Sequence, residues 1–298
     1  LTLDYYVLRE NLEKAKKQFN ANVKPMLRVF ENWLGPYPFY RDGYKLIETP
    51  YLGMEHQSAV AYGNKYMNGY MGRDLSGTGL GMKWDYIIIH ESGHEWFGNN
   101  ITAKDIADMW IHEGFTMYSE GLYVESREGK TAGAKYIAGI RQNIRNDIPL
   151  IGPYGVNTEG SGDMYYKGAN LIHMTRILID DDVKWREILR GLNKEFGLKT
   201  TTTEEIVNYI NKTSGKDLSR VYEQYLRYAP IPVLEYKVQG RQISYRWQAN
   251  VPGFDMPVRI KTGNKYQWIK PESEWKKMKL KSAFSPDTEN FYIQMKEI

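Results

Sequence analysis

Apolar residues recur at helical spacing through most of the first 230 positions, then switch to short alternating runs. Residues 1–9 alternate Leu1, Leu3, Tyr5 and Val7 and read as extended. Leu12, Ala15, Phe19, Met26, Val29, Phe30 and Trp33 predict one helix or two between positions 11 and 34, with Pro25 as the kink or restart. Gly35-Pro36-Tyr37-Pro38 ends that region. Positions 44–49 read as a strand, 50–56 as a loop, and the Gly-, Tyr- and Met-rich stretch 57–83 as strand fragments and loop. Helices are expected over about 85–97, 103–128, 131–146, 165–180 and 185–196, with a Gly/Pro-rich loop at 148–162. Thr202-Thr203-Glu204-Glu205 looks like a helix start, Gly215 its stop, and Asp217 is placed to cap a last helix. After Ala229-Pro230-Ile231-Pro232 the runs Leu234-Tyr236-Val238, Ile243-Tyr245-Trp247, Val258-Ile260 and Phe291-Ile293-Met295 alternate, as in a small β-sandwich. The expected fold class is α+β: a mainly helical domain over 1–229 and a β-sandwich over 230–298. The latter carries no His and is expected to buttress the former.

Ile87, Ile88 and Ile89 run into His90-Glu91-Ser92-Gly93-His94, and Trp96-Phe97-Gly98 runs out of it. On a helix the two imidazoles stand one turn apart on one face, so both reach one ion. Glu113 follows 19 residues after His94, on the apolar segment Trp110-Ile111-His112-Glu113-Gly114-Phe115, and is the expected third ligand. Zinc takes His nitrogens and carboxylate oxygens at about 2.0–2.2 Å, and a catalytic ion keeps a fourth position for water. Three ligands, His90, His94 and Glu113, leave that position open for one Zn²⁺ per chain. Glu91, beside His90, is placed to take the proton of the water there. Chance alone would produce this pattern about 0.006 times in such a chain. The bland alternative, a buried helix with two satisfied core histidines, is correspondingly disfavoured.

At 298 residues, 42% hydrophobic and 26% charged, the chain is that of a soluble globular protein. No apolar run approaches the roughly 20 residues of a membrane span. A net charge of +4 with dispersed basic residues suggests neither nucleic acid nor an anionic membrane as partner. With no Cys there are no thiolate ligands and no disulfides. The chain begins at Leu1 without a signal-type segment and reads as a processed or excised piece. That start and the lack of thiols lean towards an exported or periplasmic location over a cytoplasmic one.

His90-Glu91-Ser92-Gly93-His94-Glu95-Trp96-Phe97-Gly98-Asn99, followed by Glu113-Gly114-Phe115, resembles the zinc aminopeptidases of the aminopeptidase N and leukotriene hydrolase family, which are gluzincins. Gly53-Met54-Glu55 resembles that family's Gly-x-Met-Glu-Asn motif, and Tyr165-Tyr166-Lys167-Gly168-Ala169 its Tyr-Glu-Lys-Gly-Ala segment. Gly35-Pro36-Tyr37-Pro38-Phe39 also fits, so the likeness covers about residues 10–230. It implies a thermolysin-like catalytic domain acting on peptides with a free N-terminus. Gly53, Met54 and Glu55 would bind substrate, with Glu55 on the α-ammonium, and Tyr165 would donate to the developing oxyanion. Tyr166 is the neighbour with which Tyr165 is most readily confused. Glu120, two helical turns beyond Glu113, either orients a ligand His or belongs to an ordinary polar helix face. His173 reads as a satisfied core histidine.

Leu52 and His56 stand where the family motif has Gly and Asn, and His112 where Asn usually precedes the third ligand. These departures bear on substrate preference and pH profile. The family's N-terminal β-domain, expected to pack on the cleft, is missing from the sequence. Two rivals use the same zinc motif: a thermolysin-like endopeptidase, which has no use for Glu55, and a non-catalytic zinc-containing peptide-binding fragment, which has no use for Glu91.

Overall fold

The computed structural model describes residues 1–263, 265–280 and 282–298. Strands β1 (Leu3–Tyr6), β2 (Tyr44–Glu48), β3 (Gly53–Met54) and β4 (Val60–Tyr62) form a sheet in the order β1-β2-β4-β3. All pairs are parallel except β3, which runs antiparallel along β4 at the sheet edge. The crossover from β1 to β2 is helix α1 (Leu12–Leu34), a single helix with Pro25 inside it. Pro25 removes one backbone donor. The buried stripe Ala15, Phe19, Val23, Met26 and Phe30 runs past it on both sides into one core, which keeps the helix continuous.

Helix α2 (Tyr86–Gly93) lies beneath the sheet edge, and every one of its residues is buried. Its start is tied down by Asp85, which accepts from the Ile88 N–H (3.4 Å), Gln18 (2.8 Å), the Tyr62 hydroxyl (2.6 Å) and Asn64 (2.8 Å). Burial pushes the Asp85 carboxyl up to about 6 despite those donors. Helix, α1 and β4 are thereby fixed to one another at one buried carboxyl.

The helix expected over 85–97 is shorter than that. After Gly93 the N–H groups of Glu95, Trp96 and Phe97 turn back onto the carbonyls of Ser92 and Gly93. Gly98, at φ 132°, then reverses the chain into β5 (Ile101–Ala103), which pairs parallel with β6 (Lys199–Thr201). For the same reason the next helix, α3, spans Trp110–Glu128 and not 103–128: the early part is taken by β5 and a short 3-10 turn at Ile106–Asp108.

Around α3 lie α4 (Lys130–Gly139), α5 (Tyr166–Ile179), α6 (Asp182–Glu195), α7 (Thr203–Ser214) and α8 (Ser219–Arg227). The expected 131–146 helix gives way to a 3-10 turn after Gly139. A capping box of Thr202 and Glu205 starts α7, and Gly215 in left-handed conformation ends it. Asp217 accepts from the Ser219 N–H (3.0 Å) at the start of α8. Helices α3 and α5 meet at two glycines. A Cβ on Gly168 would stand 3.0 Å from the Gly114 Cα, and one on Gly114 would stand 3.2 Å from the Gly168 Cα. This close crossing brings Glu113 and Tyr165, each near its glycine in sequence, towards one another.

The remaining elements are strands: β7 (Val233–Gln239), β8 (Gln242–Gln248), β9 (Val258–Thr262), β10 (Lys265–Ile269), β11 (Lys276–Lys279), β12 (Phe284–Pro286) and β13 (Gln294–Glu297). They form a four-stranded sheet, β11-β8-β7-β13, and a three-stranded sheet, β10-β9-β12. Tyr236 and Phe284 touch between the two sheets, with ring centroids 5.3 Å apart. This part is bonded to the helices. Tyr225 donates to the Tyr292 carbonyl (2.6 Å), Arg141 to the carbonyls of Thr288 and Glu289, and His173 meets Asn290 at 3.0 Å. His173 is therefore a satisfied core histidine, and burial holds its pKa down at about 4.

Gly168→Val is expected to lower stability by roughly 2–3 kcal/mol, because a β-branched side chain has no room at the glycine crossing. An unchanged midpoint of thermal or urea unfolding would show that the two helices are not in such contact.

Candidate metal centre

His90 sits in the last turn of α2, and His94 is the residue on which that helix ends. His90 donates from Nδ1 to Glu120 Oε1 (2.7 Å), and Glu120, fully buried, also accepts from the Tyr136 hydroxyl (2.5 Å). His94 Nδ1 donates to the Phe97 carbonyl (3.0 Å), an acceptor presented by the turn that replaces the rest of the helix. Both rings are thereby fixed with Nδ1 as donor and Nε2 as the free lone pair. The Tyr86 ring stacks on His90 with centroids 5.1 Å apart.

The two Nε2 atoms face Glu113 Oε2 at 3.4 and 3.3 Å, and that buried oxygen has no hydrogen-bond partner among the described residues. Three acceptors converge with no donor among them, so a cation is needed at their centre. Two imidazole nitrogens and one carboxylate oxygen are the donor set of a catalytic zinc ion. Without the ion, protons take its place. Burial opposes charge on His90, but Glu113 and Glu120 outweigh it and hold its pKa well above the usual range. Burial likewise opposes charge on Glu113, yet His94 and His90 keep its carboxyl well below the usual carboxylate range.

Glu91 and Glu55 lie beside this set, and one oxygen of each falls within 4.8 Å of a His94 nitrogen and of the other. Burial raises the Glu91 pKa, with Glu55 and Glu113 adding to it against the two histidines. Gly53, on the edge strand β3, lies against α2: a Cβ there would come within 2.7 Å of Ile87 and 3.1 Å of Glu91 Oε1. The bare glycine is what lets strand and helix approach. Met54 is 45% exposed and Glu55 half-buried, so the edge of β3 opens onto the cleft.

Tyr165 is half-buried, its ring 6.0 Å from that of His90. Burial, then Glu113, Glu55 and Glu91, raise its pKa and keep the phenol protonated as a donor. Tyr166 opens α5 and is influenced chiefly by burial and Glu120, on the far side of His90. His112 accepts the Ala103 N–H at Nε2 (2.7 Å), and burial and the nearby His94 hold its pKa down at about 4. It is therefore neutral near pH 7, as an Asn would be.

The structure thus brings together His90, His94, Glu113, Glu91, Glu55, Gly53 and Tyr165 from positions spread over a hundred residues. Glu120 bonds His90 and is no ordinary surface residue. Sequence reasoning missed Tyr136, the Phe97 carbonyl and Asn99. Only Asn99 carried a signal, as the last residue of the motif that starts at His90.

The sequence pattern of the peptidase family M1 domain matches residues 18–225, more than half of the chain. The chain belongs to peptidase family M1. It is 23% identical over 258 residues to tricorn protease-interacting factor F2 of Thermoplasma volcanium, covering 80% of this chain and 32% of that protein. It is 26% identical over 165 residues to aminopeptidase N of Lactococcus lactis subsp. lactis, covering 51% of this chain and 19% of the other. The chain thus spans a third or less of these relatives. Among solved structures, an M1 zinc metallopeptidase from Deinococcus radiodurans bound to a Tyr-Ser-Ala substrate superposes with a TM-score of 0.54 at 24% identity, over 69% of this chain and 44% of that one. Aminopeptidase A of Legionella pneumophila, in complex with aspartic acid, superposes with a TM-score of 0.70 at 15% identity. That match covers 98% of this chain and 36% of the other, so the fold likeness extends through the β-strands after Val233. Zinc is the metal that the Deinococcus radiodurans structure names and the one that the convergent acceptors here fit. No helix among the described residues is long and apolar enough to cross a membrane.

Glu120→Gln is expected to weaken zinc binding about 10–100-fold, since it loosens the ring orientation and lone-pair basicity of His90. A competition titration against a chromophoric chelator measures this, and an unchanged affinity would remove Glu120 from the centre.

Proposed function

We propose that this chain carries the active site of a zinc aminopeptidase, which removes residues from the free N-terminus of peptides. The observation that carries the reading is Glu55. It places a further carboxylate just past the end of edge strand β3, with an oxygen within 4.8 Å of ligand atoms of Glu91 and His94 but outside the three-ligand set. A carboxylate there accepts charge-assisted hydrogen bonds from an α-ammonium, and these are roughly twice as strong as neutral ones. An endopeptidase would have a chain continuing through that position and would gain nothing from the anion.

The remaining roles follow from chemistry already described. Zinc, held by His90, His94 and Glu113, would supply Lewis acidity to a carbonyl and acidify a water molecule. Glu91, with its carboxyl pKa raised by burial, takes the water's proton and delivers it to the departing amine. Tyr165 keeps its proton and donates a hydrogen bond to the carbonyl oxygen as negative charge develops there. Gly53 allows the substrate-binding strand to lie against Glu91, and Met54 presents an apolar surface beside the amine site. A further domain of the same protein packed over the cleft is part of this proposal. Its support is that the chain spans only a third or less of its relatives.

Aminoacyl anilides with a free amine are expected to be cleaved in a chelator-sensitive manner, while their N-acetylated forms are not. Glu55→Gln should erase most of that discrimination. Equal cleavage of blocked substrates would favour the endopeptidase. Glu91→Gln should keep zinc stoichiometry and lose roughly 10²–10⁴ in turnover. Retained turnover in that variant would end its assignment as the base.

A further inference from the structure

Asn99 closes the motif that begins at His90, and none of the chemistry above uses it. Its backbone N–H donates to the His94 carbonyl (2.9 Å), and its side-chain Nδ2 donates to the backbone carbonyl of Glu55 (2.8 Å). One residue therefore bonds both the metal-ligand segment and the backbone that carries the amine-binding carboxylate. Four positions earlier, fully buried Glu95 accepts the Ser58 N–H at 2.7 Å. Ser58 has φ 55°, a left-handed conformation that a non-glycine residue holds only when its surroundings impose it. The loop between β3 and β4 is thus gripped at both Glu55 and Ser58 by side chains that follow His94.

We propose that Asn99 is the positioning residue for amine recognition: it sets the separation between the metal ligands and Glu55, and so the length of substrate counted from its N-terminus. The inference rests on the aminopeptidase reading. Counting one residue from a chain end requires a fixed distance between the group that holds the ammonium and the group that activates the carbonyl. One residue spans only about 3.3–3.6 Å, so a drift of about 1 Å at Glu55 blurs the count. Strand β3 is two residues long and is paired on one side only, by β4, which leaves Glu55 just past its end weakly held by the sheet. Asn99 supplies the missing restraint, and it does so from the segment that carries His94. Its amide reaches the Glu55 carbonyl while its own N–H is committed to His94, so the two ends cannot move apart independently.

The test compares two ligands on the zinc-loaded chain: leucine hydroxamate and its des-amino analogue, isocaproyl hydroxamate. Both engage the metal through the same group, and only the first carries an ammonium for Glu55. Wild type should favour leucine hydroxamate. Asn99→Ala and the near-isosteric Asn99→Leu should each cut that preference by about tenfold, the loss expected for one misplaced polar contact. Affinity for isocaproyl hydroxamate should stay within about twofold, which a general disturbance of the fold would not allow. An unchanged preference in both variants, or an equal loss for both ligands, overturns the proposal. Glu55→Gln separates the two levels. If it leaves the wild-type preference intact, the aminopeptidase reading fails and this inference with it. If it removes the preference while the Asn99 variants do not, the inference alone fails.

Discussion

Three buried acceptors pointing at one another make the constraint on which this structure turns. Glu113 Oε2 lies 3.4 Å from His90 Nε2 and 3.3 Å from His94 Nε2, and among the described residues nothing donates to that oxygen. Such an arrangement costs several kcal/mol unless a cation occupies it. The fold meets that cost by anchoring each contributor from outside. Asp85 pins the start of α2, Glu120 and the Phe97 carbonyl orient the two rings, and the glycine crossing of α3 on α5 presses Glu113 inward. Much of the helical core exists to hold polar atoms where they would not otherwise stay.

The same constraint divides the labour among chemically identical side chains. Glu113, Glu91, Glu55, Glu95 and Glu120 all surround two histidines, yet their surroundings separate them. Glu113 faces both rings and is kept ionised by them, whereas Glu91 is buried beside other carboxylates and has its pKa raised. Glu120 is committed to two donors, His90 and Tyr136. Glu95, pushed up to about 7 by burial, accepts a loop N–H. Only Glu55 keeps a half-exposed carboxylate facing the cleft, and it is the one available to a ligand. Burial and the charges beside each carboxylate, not residue type, set them apart.

How much of this the sequence disclosed depended on the range of the interaction. The residues His90, Glu91, His94 and Glu113 were legible because helical periodicity and fixed spacing are local properties. The alternating strands after Val233 were legible for the same reason. The end of α2 at Gly93 was not, because the competing partner is β6, a hundred residues downstream, and local apolar pattern favoured a longer helix. Pro25 offered a kink that the buried stripe of α1 overrode. Glu120 was visible as a position two turns from Glu113 but ambiguous, since only the packing of α2 on α3 shows that His90 is its partner. His112 was expected to matter through its titration, and burial with the nearby His94 removes that freedom by holding its pKa down at about 4.

The scattered motifs are best understood as contacts of one another. Gly114 and Gly168 belong to different segments in sequence, and each is a glycine because the other's backbone occupies the space of its side chain. Gly53 is a glycine because Ile87 and Glu91 occupy its space, and Asn99 ends its motif where the Glu55 carbonyl begins. Substituting any one of them changes the room left to its counterpart, so such positions are coupled in pairs even though few touch the reacting atoms. These contacts all close within the first 230 residues of a chain that spans a third or less of its relatives. The three convergent acceptors mark where a metal ion can sit, and the glycine contacts and the Asn99 bridge fix how far the segments that carry them stand from Glu55.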